Sequence, residues 1–362
     1  MIAGVISDTH AIDVKVIRAI VEEFKKRGAT AIIHCGDIEP QHAYSDVFGE
    51  LPVFCALNEE QLDKPGFKNS PANWIFTVPG ERIVDIKHVR CYVGHKRSFD
   101  FLSGSEQNIM TLLDVLRKDN DGLRWVFSGH THHQIFAQTR LVNFMNPGAV
   151  EMGFNGYEYA VIDTDNGEVV FSRIMKTKPT IRDFSIGVVS DSLRISEIDP
   201  NFWKKLADEM HRRDVRTIIH CGNIAIEDIG RPELEGFSVV CNLKQDQVGK
   251  KKTYPNNWHM INVEDNPVVE INGYRFYVQL DLGICLLEES EIGMNKICLN
   301  LRRAFSELDF VLCGFTHNAL FVEQEQTCVI NPGDIITDRN FTVICLPRNE
   351  ITFGHVPLDP VF

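Results

Sequence analysis

The polar residues able to do chemistry fall into short groups: Asp8-x-His10, Gly36-Asp37, Asn58, Gly94-His95 and Gly129-His130-Thr131-His132. Imidazole nitrogens combined with carboxylate and amide oxygens form a borderline donor set. It suits Mn, Fe, Ni or Zn, and neither calcium alone nor a thiolate site. Seven donors are too many for one tetrahedral ion. They suffice for two octahedral-like ions that share a carboxylate, each keeping positions for water, which is the arrangement of metal-assisted hydrolysis.

Each group follows an apolar run. IAGVIS at 2–7 reads as a short, buried, Ile/Val-rich strand, and ATAIIHC, VFCAL and LRWVFS read the same way. Open α/β sheets collect ligands at the carboxyl ends of their strands, so residues distant in sequence can converge there. Between the first two runs, Val14, Ile17, Ile20, Val21 and Phe24 recur at helical spacing over 12–27, and Gly28 ends the helix. Further strands are expected at 82–94 and a helix at 105–119. A β-rich stretch follows, with strands at 134–138, 141–145, 157–163 and 168–174. Alternating β/α that turns into consecutive strands predicts an α/β fold of two mixed sheets packed face to face with helices outside.

The whole pattern then recurs. IAGVISDTH at 2–10 meets SIGVVSDSL at 185–193, TAIIHCGDI meets RTIIHCGNI, PANWIF meets PNNWHM, and NFMNPGAV meets CVINPGDI. The offset stays between 183 and 186 residues, which marks duplication of a whole domain rather than a solenoid of short units. MKTKPTIRD at 175–183 is the natural joint. The expectation is two tandem α-β-β-α sandwich domains, 1–180 and 181–362.

The five ligand groups, in this order and at strand ends, resemble the calcineurin-like metallophosphoesterase superfamily, in its small bacterial and archaeal phosphodiesterase branch. The resemblance covers the first half fully and the second as a faded copy. It implies two divalent transition-metal ions, manganese foremost, with iron, nickel or zinc as alternatives. Asp8, His10, Asp37 and His132 would hold the first. Asp37, Asn58, His95 and His130 would hold the second, with Asp37 bridging. A hydroxide between the two would attack phosphorus in line, with no covalent enzyme intermediate. The chain departs from the family pattern in three ways. Leu57 precedes Asn58 where glycine is usual. No histidine follows Asn58, which leaves protonation of the leaving group to water or substrate. Lys96 and Arg97 follow His95 where a small residue is common. With Asn58, these two cations are the candidate substrate-binding residues.

In the second half Asp191 matches Asp8, Asn242 is paired with Asn58, and His317 matches His132. Leu193, Asn223, Leu280 and Phe315 replace His10, Asp37, His95 and His130. One carboxylate facing two dications leaves charge uncompensated, and the apolar replacements are expected to fill the metal space, so this half should hold no dinuclear centre. Because His34 and His220 match although the ligands are gone, His34 reads as structural. The Asn-Pro-Gly turns at 146–148 and 331–333, and Trp74 with Trp258, read as scaffold for the same reason.

The 362 residues, 44% hydrophobic and 24% charged, are ordinary for a globular chain of two domains. A net charge of −13 weighs against an electrostatic grip on nucleic acid, and a nuclease is the weaker reading. No signal-peptide pattern opens the chain, and no apolar run nears the length of a membrane span. The ten cysteines form no C-x-x-C pair and mostly sit in apolar runs, as buried thiols of a cytoplasmic protein would. The function expected is metal-dependent hydrolysis of a small phosphodiester or phosphomonoester by the first half. The second half is then structural or regulatory, and a candidate intramolecular partner. The competing expectation is a protein-interaction scaffold with little catalysis. Monomer and dimer are both open.

Overall fold

The Ile/Val-rich N-terminal run becomes β1 (Ile2–Ile6), buried from Ala3 onward. The computed structural model describes residues 1–44, 46–95, 109–151, 156–176, 182–251, 253–262, 267–282, 291–324 and 327–358. Strands are numbered in chain order. From β1, parallel pairing runs outward through β2 (Ala31–His34), β3 (Val53–Ala56) and β4 (Trp74–Thr77). The other edge of β1 pairs antiparallel with β10 (Gly156–Asp163), and β10 with β11 (Glu168–Met175). The second sheet joins β5 (Ile83–Ile86) antiparallel to β6 (Val89–Val93), then β6, β7 (Leu123–Phe127) and β9 (Asn143–Pro147) in parallel. Antiparallel β8 (Gln134–Gln138) follows β9. The expected strand region 82–94 is therefore a hairpin. It turns at Lys87 and His88, both with positive φ (46° and 72°) as a tight two-residue turn demands.

The helix Val14–Lys26 is capped by Asp13, whose carboxylate accepts from the Lys15 amide at 2.9 Å. Its Ile17, Ile20, Val21 and Phe24 join Ile6, Ile32, Val53 and Val161 in one core cluster. Each such side chain contributes about 1.5–3 kcal/mol by leaving water. Gly4 lets this helix come close: a Cβ there would stand 2.3 Å from the Phe24 ring. The second expected helix is described over Ile109–Asp119, and residues 105–108 lie outside the described residues. Inside the sandwich the buried Gln134 amide of β8 donates to the carbonyls of Tyr159 and Ser172 on the other sheet, at 3.4 and 3.3 Å.

The second unit repeats this plan. β12 (Phe184–Val189), β13 (Val215–His220), β14 (Ser238–Asn242) and β15 (Trp258–Ile261) run parallel. β21 (Asn340–Leu346) and β22 (Glu350–His355) follow antiparallel from the other edge of β12. Its second sheet orders β16 (Val268–Ile271), β17 (Tyr274–Val278), β18 (Phe310–Leu312), β20 (Thr327–Pro332) and β19 (Ala319–Gln324). The helix Phe202–Arg212 buries Phe202, Trp203, Leu206 and Met210, with Gly187 opposite the Met210 sulfur as Gly4 is opposite Phe24. The chain thus forms two tandem α-β-β-α sandwiches. Its compact units are Met1–Pro179, and Thr180–Leu286 with Ile292–Phe362.

Nine cysteines are free and buried, and Cys285 lies outside the described residues. Among the described residues no helix is long and apolar enough to cross a membrane.

Candidate metal centre

The carboxyl ends of β1, β2, β3, β6 and β7 carry the seven sequence-identified residues. The turns that follow β1, β2 and β7 are unusual. Asp8, His10, Asp37, His130 and His132 all have left-handed backbones, with φ of 52°, 38°, 54°, 75° and 58°. Such conformations cost about 1–3 kcal/mol each and persist only where surrounding bonds fix them. Here the amides of Asp8 and His10 donate to the carbonyls of Gly36 and Asp37, both at 3.0 Å. Two glycines permit the crowding. A Cβ on Gly36 (φ 100°) would stand 2.4 Å from His95 Cβ, and one on Gly129 would stand 1.9 Å from Ser7 Oγ.

The scaffold beneath is polar and largely hydrogen-bonded. His34 is fully buried. Its Nδ1 accepts from the Gly36 amide at 3.1 Å, so the neutral ring carries its proton on Nε2, 3.1 Å from Thr9 Oγ1. Burial pushes this imidazole down to about 3. The Asn146 amide donates to Gly129 O and Thr131 Oγ1 and its oxygen accepts from Gly148 N, which fixes the loop that holds His130 and His132. His220 and Asn331 make the same bonds in the second unit, so their matching in sequence is structural.

The side chains converge. Asp8 Oδ1 lies 3.2 Å from His132 Nε2 and 3.9 Å from His95 Nε2. The two oxygens of Asp37 face different imidazoles: Oδ1 is 3.6 Å from His10 Nδ1, and Oδ2 is 3.8 Å from His95 Nε2. Asp8, His10 and His132 form one group able to hold a cation, and Asp8, Asp37 and His95 form another. The His130 ring lies 5.2 Å from that of His95, and the His10 ring 5.7 Å from that of His132. Asp37, Ala56, Asn58, Gln61, His95 and His130 line a cavity of about 160 Å³. Gln61, unmarked in the sequence reading, accepts from the Asn58 amide at 2.9 Å and so fixes the turn that presents Asn58. Lys96 and Arg97 lie outside the described residues.

His95 is oriented from behind by the Cys35 carbonyl, 3.1 Å from Nδ1, which leaves Nε2 facing the carboxylates. Burial pushes its imidazole below the ordinary value, against the opposing pull of Asp8 and Asp37. The neutral form, the one able to ligate, is thereby favoured.

Asp8 is fully buried. Its Oδ2 accepts from the His130 amide at 3.1 Å, but its Oδ1 makes no aligned hydrogen bond among the described residues, although His132 Nε2 stands 3.2 Å away, and the buried His10 Nε2 makes none either. A buried carboxylate oxygen and a buried imidazole nitrogen left this way fit donors awaiting a cation.

The second unit shows the alternative. Asp191 is also buried, yet both its oxygens are satisfied. Oδ1 accepts from Asn223 Nδ2 at 3.0 Å, and Oδ2 from the Phe315 amide and Ser190 Oγ at 2.9 Å. Asn223, replacing Asp37, has turned a second carboxylate into a donor. Strand register also corrects the sequence pairing of Asn242 with Asn58. His34 pairs with Cys55 and His220 with Cys241, so Asn242 stands at the place of Ala56 and Lys244 at that of Asn58. Lys244 Nζ donates to Asn223 Oδ1 at 3.0 Å, so an ammonium stands where a metal ligand is expected. Apolar filling of the metal space is only partly right. Leu280 takes the His95 place and is buried, but Leu193 and Phe315 are 43% and 54% exposed.

The family model described as the calcineurin-like phosphoesterase superfamily domain matches residues 1–167 and 184–346. Solved structures similar to this chain include an archaeal phosphodiesterase, at 20% identity and TM-score 0.38, covering 48% of this chain and 100% of that one. A predicted phosphoesterase from Streptococcus pneumoniae is 16% identical with TM-score 0.32, covering 50% of this chain and 94% of that one. Vps29 from Entamoeba histolytica, complexed with zinc, is 13% identical with TM-score 0.32, covering 50% and 96%. No curated protein matches the chain. With its fold built twice and the family model matched across both halves, the chain belongs to the calcineurin-like phosphoesterase superfamily.

Proposed function

We propose that the first unit is a metal-dependent phosphoesterase acting on small phosphodiesters or phosphomonoesters, and that the second unit is a metal-free copy with a structural or regulatory role. The observation that carries this reading is the contrast between Asp8 and Asp191. The same buried carboxylate keeps one oxygen facing imidazoles without an aligned hydrogen bond in one unit, and has both oxygens hydrogen-bonded in the other.

Asp8, His10, Asp37 and His132 would hold one divalent cation, and Asp37, Asn58, His95 and His130 the second, manganese being the expected metal. When bound, such a pair polarises a phosphoryl oxygen and lowers the pKa of water enough for attack at neutral pH. The chain's own contribution is placement. Asp37 directs one oxygen to each side of the site, and the Cys35 carbonyl aims His95. The His34–Gly36 bond holds the turn that carries Asp37. Asn58 and Gln61 bound the cavity beside the two imidazoles. No imidazole follows Asn58, so protonation of the leaving oxygen falls to solvent, and substrates with acidic leaving groups are favoured.

The test is manganese-dependent hydrolysis of bis(p-nitrophenyl) phosphate together with elemental analysis. About two transition-metal ions per chain and a loss of at least about 10³-fold in Asp37→Ala, with Asp191→Ala near wild type, are expected. Four ions per chain would refute the division of labour. Unchanged turnover in Asp37→Ala would refute the site.

A further inference from the structure

A ligating histidine is held in register by what its other ring nitrogen touches, and a carboxylate or carbonyl in that position commonly changes metal affinity by 10–100-fold. His95 has such a partner in the Cys35 carbonyl. For His10, the buried Nε2 without a hydrogen-bond partner is the nitrogen free to ligate, and Nδ1 faces carboxylates. Two carboxylates stand near Nδ1: Asp37 Oδ1 at 3.6 Å and Glu151 Oε2 at 3.9 Å. Asp37 is committed to the cations in the reading above, which leaves Glu151 as the acceptor.

Glu151 is anchored for this. Its amide donates to the Asp8 carbonyl at 3.2 Å, and the preceding Val150 amide donates to Ser7 O at 3.1 Å, so its backbone is tied to the turn that presents Asp8 and His10. The duplication supplies an internal comparison. Counting from the Asn-Pro-Gly turns, the Glu151 place is Ile336 in the second unit, where His10 is Leu193. The carboxylate and the imidazole are absent together.

We infer that Glu151 is a positioning residue for His10: its carboxylate accepts the Nδ1 proton, aims Nε2 into the site and thereby sets the affinity for the cation that Asp8, His10 and His132 share. This rests on the dinuclear reading of the first unit. It adds a residue that the sequence motifs do not contain.

The experiment is calorimetric titration of metal-stripped full-length chain with manganese, read as dissociation constants, with thermal melts in chelator confirming the fold. Glu151→Ala is expected to weaken one of two sites by about 10–100-fold and leave the other unchanged. Glu151→Gln, whose amide oxygen can still accept the proton, is expected to stay within about threefold of wild type. In a His10→Ala background Glu151→Ala should add nothing. Unchanged affinity in Glu151→Ala overturns the inference. So does a Glu151→Gln defect equal to that of alanine, or a full additional loss in the His10→Ala background, which would mean that Glu151 meets the cation directly. A wild-type chain that binds no manganese overturns the dinuclear reading itself, a result distinguishable from the others.

Discussion

The buried histidine beneath the second unit's loops makes a quantitative demand on stability. His220 accepts from the Gly222 amide at Nδ1 (3.1 Å) and faces Ser192 Oγ from Nε2 (2.8 Å). Protonation would set two donors against each other at Nδ1, and burial pushes the folded value from 6.5 down to about 3. The unfolded chain therefore takes up a proton here that the folded chain refuses. The stability contributed by the neutral ring is complete above pH 6.5 and is lost as pH falls from there toward about 3. At pH 5 the loss is about 2 kcal/mol, and any folded value below about 4 gives the same figure. The perturbation is His220→Leu, measured by urea unfolding in chelator at pH 8 and pH 5, so that metal binding does not enter. At pH 8 the variant forfeits the ring's bonds and strands the Gly222 amide, at a cost of about 2–4 kcal/mol in the transition it shifts. At pH 5 wild type has surrendered its share, and the gap should narrow by about 2 kcal/mol. An equal gap at both pH values would refute the neutral, doubly bonded ring.

Gly36→Ala should destabilise by about 1–3 kcal/mol, since its φ of 100° and the 2.4 Å approach to His95 Cβ both oppose a side chain, and should also lower metal content by displacing His95. Gly222→Ala, at φ 131° against Leu280, should cost a similar amount in urea unfolding while leaving the metal count unchanged. Asn146→Ala removes three hydrogen bonds, two of them buried, from the His130–His132 loop, and should lower both manganese affinity and stability, the latter by about 2–4 kcal/mol; Asn331→Ala should lower stability alone. Restoring Leu193→His, Asn223→Asp, Leu280→His and Phe315→His together should not raise the metal count by elemental analysis while Lys244 stands at the place of a ligand. Adding Lys244→Asn should raise it.

The candidate site was legible where side-chain chemistry coincides with a strand end. Asp8, His10, Asp37, His95, His130 and His132 each follow a buried apolar run by one to five residues, and parallel pairing brings those ends together. The repeat made the scaffold legible too, because His34 and Asn146 have counterparts in the copy that lacks most of the candidate ligands. The Asn242 pairing failed for a physical reason. Similarity of type favoured matching asparagine to asparagine, whereas the ladder from His220 to Cys241 fixes a register two residues further on. A lysine at the place of a candidate ligand has no signature until that register is known. Glu151 escaped because its role depends on a rotation of the His10 ring and on a backbone bond to Asp8, neither of which has a sequence period. The exposure of Leu193 and Phe315 was likewise invisible, since apolar type predicts burial but not which way a turn aims its side chain.

Four of the first unit's five left-handed positions persist in the second, where Asp191, Asn223, Phe315 and His317 have φ of 57°, 62°, 70° and 59°; the fifth, at His10, is not kept at Leu193. A copy that has exchanged most of the candidate ligands still bends its chain at those four places. The bends are thus dictated by the strands and the buried histidine and asparagine below, and need no cation to draw them. In the first unit the loops should accordingly stand ready before any ion arrives, so that loading is an act of occupancy rather than of folding.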